Sequence, residues 1–291
     1  MNLSPKLSPL NTPAVCKLIS LALEEDLASG DVTASSAIPC DLRASADLLV
    51  KESLVLCGLE LIEAIREIGR YSFEIATRFE DGDMIGVGTV IATLSGKARE
   101  LLTVERTVLN FLQRMSGVAS HTAEIVKQAS PIIVLDTRKT VPGWRALDKY
   151  AVRVGGGKNH RLSLSDMILV KNNHIDLWNG DWEGLFNSIR ANKPHYTPIQ
   201  VEVRSMQELN KAVTFSPNAI MLDNFSDKDL EPALSLLTSQ HPNILIEVSG
   251  GITAERLNNL KRLGVPAISM GALTNRSHNR DISLRIEPAS N

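Results

Sequence analysis

From residue 131 onward the chain alternates short apolar runs rich in branched residues with amphipathic stretches. The runs cover residues 132–135, 167–170, 199–203, 219–222, 244–248 and 267–270. Their length and β-branched content predict buried strands, and the stretches between them predict helices. Several of these helices have explicit ends. Ser205-Met206-Gln207-Glu208 and Ser226-Asp227-Lys228-Asp229 have capping-box spacing, Thr253 can cap, and Gly264 is a natural stop. Strand and helix in turn imply parallel βαβ connections. Six clear strands do not amount to a complete eight-fold barrel.

The first part of the chain reads differently. Residues 12–27 form a helical pattern in which Thr12 can cap, Pro13 suits the first turn, and Val15, Leu18, Ile19, Leu21 and Leu23 supply an apolar face. Residues 44–95 hold short alternating stretches at 46–50, 73–76 and 90–94, with Asp81-Gly82 and Ser95-Gly96 as turns and one amphipathic helix over 59–68. This predicts an antiparallel sheet with a helix packed on it, an α+β sandwich. Residues 103–128 are strongly helical, and Gly117 marks either a break or close packing within them. The division expected is an amino-terminal α+β sandwich domain over 1–115, joined by 277–291, and an incomplete α/β barrel carrying the active site over 116–276.

Composition and charge narrow the partners. The 291 residues carry a formal net charge of -2, which supplies no field favouring nucleic acid. No run approaches the ~20 apolar residues of a membrane span. The leading segment lacks a basic-then-apolar signal pattern. Cys16, Cys40 and Cys57 are odd in number and widely spaced, which speaks against disulfide frameworks and structural zinc and for a reducing cytoplasm. Glu24, Glu25, Asp26 and Asp31 could ligate a divalent ion, but a solvated helix end and turn is the simpler reading.

The chemistry gathers where the apolar runs end. In order these ends carry Asp136-Thr137-Arg138-Lys139, Lys171, Glu202, Asp223, Ser249-Gly250-Gly251 and Gly271. Carboxyl ends of parallel strands are where α/β barrels assemble their sites. Arg138 and Arg161 offer planar forks for carboxylate or phosphate, while Lys139 and Lys171 are compact point charges, so the pocket expects an anion of several charges. His160 can donate to a carboxylate in either protonation state. Ser249-Gly250-Gly251 before a helix starting near Thr253 suits a phosphate on helix amides or a plain turn. Glu202 and Asp223 have three open roles: magnesium ligands, acceptors for ribose hydroxyls, or partners for the lysines. His174 reads as a structural hydrogen-bonder.

The run DTRKTVPGWRALDKYAVRVGGGKNHRLSLSDMILVKNNHI resembles the signature of quinolinate phosphoribosyltransferase, the carboxylating nicotinate-nucleotide pyrophosphorylase. The likeness extends to residues 24–33, 105–112 and 248–252. It implies an incomplete α/β barrel, in agreement with the six strands, and transfer of a phosphoribosyl group from 5-phosphoribosyl 1-pyrophosphate to quinolinate with decarboxylation, in NAD biosynthesis. It further implies that Arg138, His160, Arg161 and Lys171 bind the two quinolinate carboxylates, aided by Arg106 from a second subunit of a homodimer. Thr137, Lys139, Glu202, Asp223, Ser249, Gly250, Gly251 and Gly271 would complete the substrate site, with Lys139, Lys171, Glu202 and Asp223 catalytic. Mg2+ would arrive with the pyrophosphate, Glu202 and Asp223 being its nearest protein acids, and no organic cofactor is implied. Asn172 and Asn275 depart from the family pattern, so neither carries a role. Three other readings compete: a Schiff-base lysine at Lys171, the paralogue associated with molybdate uptake, which lacks that lysine, and a non-catalytic anion sensor.

Overall fold

The computed structural model describes residue 10 and residues 12–289; the reading of the leading segment therefore falls largely outside it. The chain forms two compact units, one of residues 1–124, 139–156 and 272–291, the other of residues 125–138 and 157–271. The sequence reading drew its line at 115/116, a point inside a continuous helix, Ala98–Ala129.

In the first unit the opening helix is Pro13–Leu27, with the Thr12 hydroxyl accepting the Val15 amide at 3.3 Å. Val15, Ile19 and Leu23 recur every fourth residue and are its buried stripe. Asp31, from the acidic cluster, caps the next helix, Val32–Ala37, by accepting the Ala34 amide at 2.8 Å. Among the described residues no group of three or more His, Cys, Asp or Glu is placed to hold a metal ion.

A four-stranded antiparallel sheet runs Ile282–Pro288, Arg43–Val50, Val90–Lys97, Glu74–Thr77. Ala46, Leu48 and Val50 alternate inward with no exposure, and the carboxyl-terminal strand pairs along them from Ala44 to Val50. Ala98–Ala129 is unbroken at Gly117, so of the two readings of that glycine close packing holds. A Cβ there would overlap the carbonyl oxygen of His278. Ser116 and Ser120, one turn apart on the same helix, accept the buried amides of Cys57 and Val55 at 3.1 and 2.8 Å.

The second unit is a six-stranded parallel sheet whose strands are Ile133–Leu135, Ile168–Val170, Ile199–Val203, Ala219–Asp223, Leu245–Ser249 and Ala267–Ser269. All six match the apolar runs within about a residue. From Ile168–Val170 to Ala267–Ser269 each strand bonds the next in the chain, and Ile133–Leu135 bonds Ala267–Ser269. That is a ring opened between the first two of its strands, the incomplete α/β barrel expected. Ser205, Ser226 and Thr253 cap their helices as predicted, each accepting the amide three residues on. Among the described residues no helix is long and apolar enough to cross a membrane.

Gly117→Ala tests the close packing. Alanine in a helix interior should gain about 1 kcal/mol over glycine, but overpacking against backbone costs about 1–3 kcal/mol. We expect net destabilisation, read as a lower urea midpoint; a raised midpoint would show that the contact is loose.

Candidate active site

A parallel strand presents alternate residues to opposite faces, and residues paired in register share a face. Gln200 pairs with Leu169 and Ala219, Glu202 with Met221, Met221 with Glu247, Asp223 with Ser249, and Ser249 with Ser269. One face therefore collects Gln200, Glu202, Asp223, Glu247, Ser249 and Ser269. The other collects Val201, Val203, Ile220, Leu222, Val248 and Ile268, all fully buried. Polar atoms line one side of the sheet because the apolar side is committed to packing.

Buried polar groups need partners, and here they form a chain. The Gln200 amide donates to Glu247 at 2.8 Å, and its oxygen accepts from His160 Nε2 at 3.0 Å. His160 Nε2 also lies 3.2 Å from Glu247. His160 Nδ1 accepts the Arg161 amide at 2.8 Å, which puts the ring proton on Nε2, facing the Gln200–Glu247 pair. Burial drives the Glu247 carboxyl up, but the hydrogen bond and charge of His160, helped by the Gln200 amide, outweigh it and hold the carboxyl below its usual range. Asp136, fully buried, accepts the His160 amide at 2.8 Å and the Asn159 side chain at 2.6 Å. These bonds fix where residues 159–161 leave the glycine run.

Both ring nitrogens of His160, which the family resemblance places on a substrate carboxylate, are engaged within the protein in this structure, and its contact with the Arg161 amide also ties it to the position of that arginine. Sequence reasoning gave no role to Asp136, Gln200, Glu247 or Ser269. The period-two polar positions within residues 199–203 and 245–249 carried the signal for Gln200 and Glu247, which reading the runs as uniformly apolar obscured.

The cations stand out by what they lack. Arg138 Nε is buried and finds no acceptor among the described residues. Burial first, and the Arg138 charge second, push the Arg161 pKa down, with Asp166 opposing. Arg161 donates one bond, to the Met167 carbonyl at 3.2 Å. Two guanidinium groups close enough to repel, one with an orphaned buried N–H, make a site that an anion would stabilise on both counts. Lys171, half exposed, pairs with Glu202 at 2.7 Å. His174 Nδ1 accepts the Lys171 amide at 2.9 Å, in keeping with a structural role.

Next to Asp223 the chain is held tightly. Asn224, at φ 54°, gives its amide to the Ser249 carbonyl at 2.9 Å and its side chain to Asp223 at 2.8 Å. Gly250 is at φ +85°, and a Cβ there would overlap the Asn224 side chain, so only glycine fits. Arg256 ties the turn together, donating to the Gly250 carbonyl at 2.6 Å, to the Phe225 carbonyl, and to Asp227 at 3.2 Å. The helix that follows already has amides in use: Thr253 accepts that of Arg256, and the Glu255 carboxylate, its pKa lowered, folds onto its own amide.

Thr137 and Gly271 lie just past the ends of Ile133–Leu135 and Ala267–Ser269. Arg106 and Lys139 belong to the first unit and are exposed. The printed ion pair of Arg106 is with its neighbour Glu105, at 4.0 Å.

Comparison with known proteins agrees with this layout. The family model for the quinolinate phosphoribosyl transferase N-terminal domain matches residues 31–116, and that for the C-terminal domain matches residues 118–285. A Nicotiana tabacum protein, quinolinate phosphoribosyltransferase (decarboxylating) 1b, is 38% identical over 290 residues, covering 93% of this chain and 81% of its own length. The probable nicotinate-nucleotide pyrophosphorylase (carboxylating) of Methanocaldococcus jannaschii is 37% identical, covering 93% and 96%. Among solved structures, NadC from Streptococcus pyogenes superposes with a TM-score of 0.89 at 34% identity, covering 100% of both chains. With family models over both parts of the chain and relatives this similar along their length, the chain belongs to the quinolinate phosphoribosyltransferase family.

Proposed function

We propose that this protein converts quinolinate and 5-phosphoribosyl 1-pyrophosphate into nicotinate mononucleotide, pyrophosphate and carbon dioxide, a step of NAD biosynthesis. The observation that carries this reading is the Arg138–Arg161 pair, with an orphaned buried donor and repulsion between its charges, in a chain whose Lys171 follows the parallel strand Ile168–Val170 and pairs with Glu202. A planar diacid satisfies two forks and a point charge better than a monoanion does.

Quinolinate is assigned to Arg138, His160, Arg161 and Lys171, with His160 also holding Arg161 in place. The donor is assigned to Thr137, Lys139, Glu202, Asp223, Ser249, Gly250, Gly251 and Gly271, with Mg2+ entering as part of the pyrophosphate substrate. The pyridine nitrogen lone pair attacks the anomeric carbon while the carbon–oxygen bond to pyrophosphate breaks. Carboxylates beside the ribose stabilise the oxocarbenium-like state, and Lys139 stabilises charge on the leaving group. The ring nitrogen, now cationic, stabilises the electron pair left on the neighbouring ring carbon when its carboxylate departs as carbon dioxide, and that carbon uses the pair to take a proton from solvent. The attacking nitrogen carries no proton, so no general base is called for. Lys171 is held as an ion-paired ammonium, which disfavours the Schiff-base alternative. The exposure of Arg106 supports its reaching a second subunit's site in a homodimer. Cysteine usage favours a cytoplasmic setting.

Carboxyl-labelled quinolinate should release labelled carbon dioxide only when the phosphoribosyl donor and Mg2+ are both supplied. Release without the donor, or none with it, refutes the proposed reaction. Arg161→Ala should weaken quinolinate binding by the ~2–3 kcal/mol of a charge-assisted pair, about 30- to 150-fold. Lys139→Ala should instead depress kcat about 100- to 1,000-fold with little change in quinolinate affinity; the reverse pattern would overturn both roles. Mixing inactive Arg106→Ala and Lys171→Ala proteins should restore about a quarter of wild-type activity through hybrid dimers with one intact site. No recovery after verified subunit exchange would place Arg106 outside its neighbour's site.

A further inference from the structure

Residues 139–141 have no regular secondary structure, so no ladder of backbone bonds holds them. Side chains do this instead, at three successive residues. The Thr274 hydroxyl donates to the Lys139 carbonyl at 2.8 Å. Arg145 Nε donates to the Thr140 hydroxyl at 3.3 Å. The Val141 amide donates to Asp148 at 3.3 Å, and Asp148, itself 1% exposed, is gripped by Arg114 at 2.9 and 3.1 Å.

The first of these bonds is unusual for its residue type. A helical threonine can satisfy its hydroxyl on the carbonyl four residues earlier, as the buried Thr122 does on Val118 and the exposed Thr238 on Leu234, both at 2.8 Å. Thr274 is 2% exposed, in the short helix Ala272–Asn275, and its hydroxyl reaches 135 residues back along the chain. It also stands three residues beyond Gly271. One side chain thus links the stretch that follows one donor-binding segment to the backbone of another.

We propose that Thr274 is a positioning residue for Lys139, setting where its ammonium can reach on the phosphoribosyl donor. The proposal rests on the assignment of Lys139 to that donor. A lysine ammonium on a flexible four-carbon stem is located chiefly by its own backbone, so fixing the carbonyl of that residue is the direct way to place it. Misplacement of about 1 Å can cost on the order of 100-fold in rate.

The test is a double-mutant cycle on the full-length protein, reading kcat and KM for both substrates. Thr274→Val, which keeps the shape and removes the donor, should lower kcat about 10- to 100-fold with quinolinate KM unchanged. Thr274→Ser should recover most of the loss. In a Lys139→Ala background Thr274→Val should have almost no further effect, because the group it positions is gone. Wild-type kcat in Thr274→Val, or an undiminished loss when Lys139 is already alanine, overturns the proposal. Should Thr274→Val not fold, Thr274→Cys takes its place in the cycle with the same expectations. Lys139→Ala alone tests the assignment beneath: wild-type turnover there removes Lys139 from the reaction, whatever Thr274 does.

Discussion

Unbalanced positive charge is the constraint around which the second unit is built. Arg138 and Arg161 repel each other, and one buried Arg138 nitrogen has no acceptor among the described residues. Left to relax, such groups would swing toward solvent. They are kept in place by contacts that do not neutralise them: the Met167 carbonyl on Arg161, and His160 on the Arg161 amide. His160 is in turn pinned through Gln200, Glu247 and Asp136. The stability lost by holding two cations apart from their counter-ion is the source of the affinity for an anion that replaces it.

That arrangement needs a sheet with one face to spare. Val201, Val203, Ile220, Leu222, Val248 and Ile268 bury the opposite face completely, so the intervening positions are free to be polar. Opening the ring between Ile133–Leu135 and Ile168–Val170 leaves these two as edge strands, the first of them bridged at Leu135 to Lys158. The segments after those two strands hold Arg138, Arg161 and Lys171, which flank or follow them in the chain. Geometry and charge therefore share one origin, the alternation of side chains along parallel strands.

Much of this was legible in the residues. Branched apolar runs located all six parallel strands, and serine or threonine three residues ahead of a helical amide located the caps. That the charged residues follow the carboxyl ends of these strands could be read in advance, because it needs only strand direction. What escaped notice were groups whose function is to hold other groups. Asp136 and Glu247 look, in sequence, like ordinary acids in or beside a strand. Their importance comes from partners 24 and 47 residues away, and single-sequence periodicity carries no information on such pairings. The continuity of Ala98–Ala129 through Gly117 was left open for the same reason, since the His278 backbone that demands a glycine lies far along the chain.

The acids show how environment assigns work. Glu247 and Glu202 stand one strand apart from Met221 on either side, on the same face, with equal chemistry. Glu247 is held by two donors, the Gln200 amide and the His160 ring, that substrate cannot displace without unmaking the core. Glu202 has a half-exposed lysine as its partner, an ion pair that water and ligands can exchange at small cost. A carboxylate meant to meet a ribose or a metal-bound pyrophosphate must be able to trade its partner; one meant to orient a histidine must not. Burial of the partner, and not of the acid alone, therefore separates a carboxylate that can exchange its partner from one that cannot.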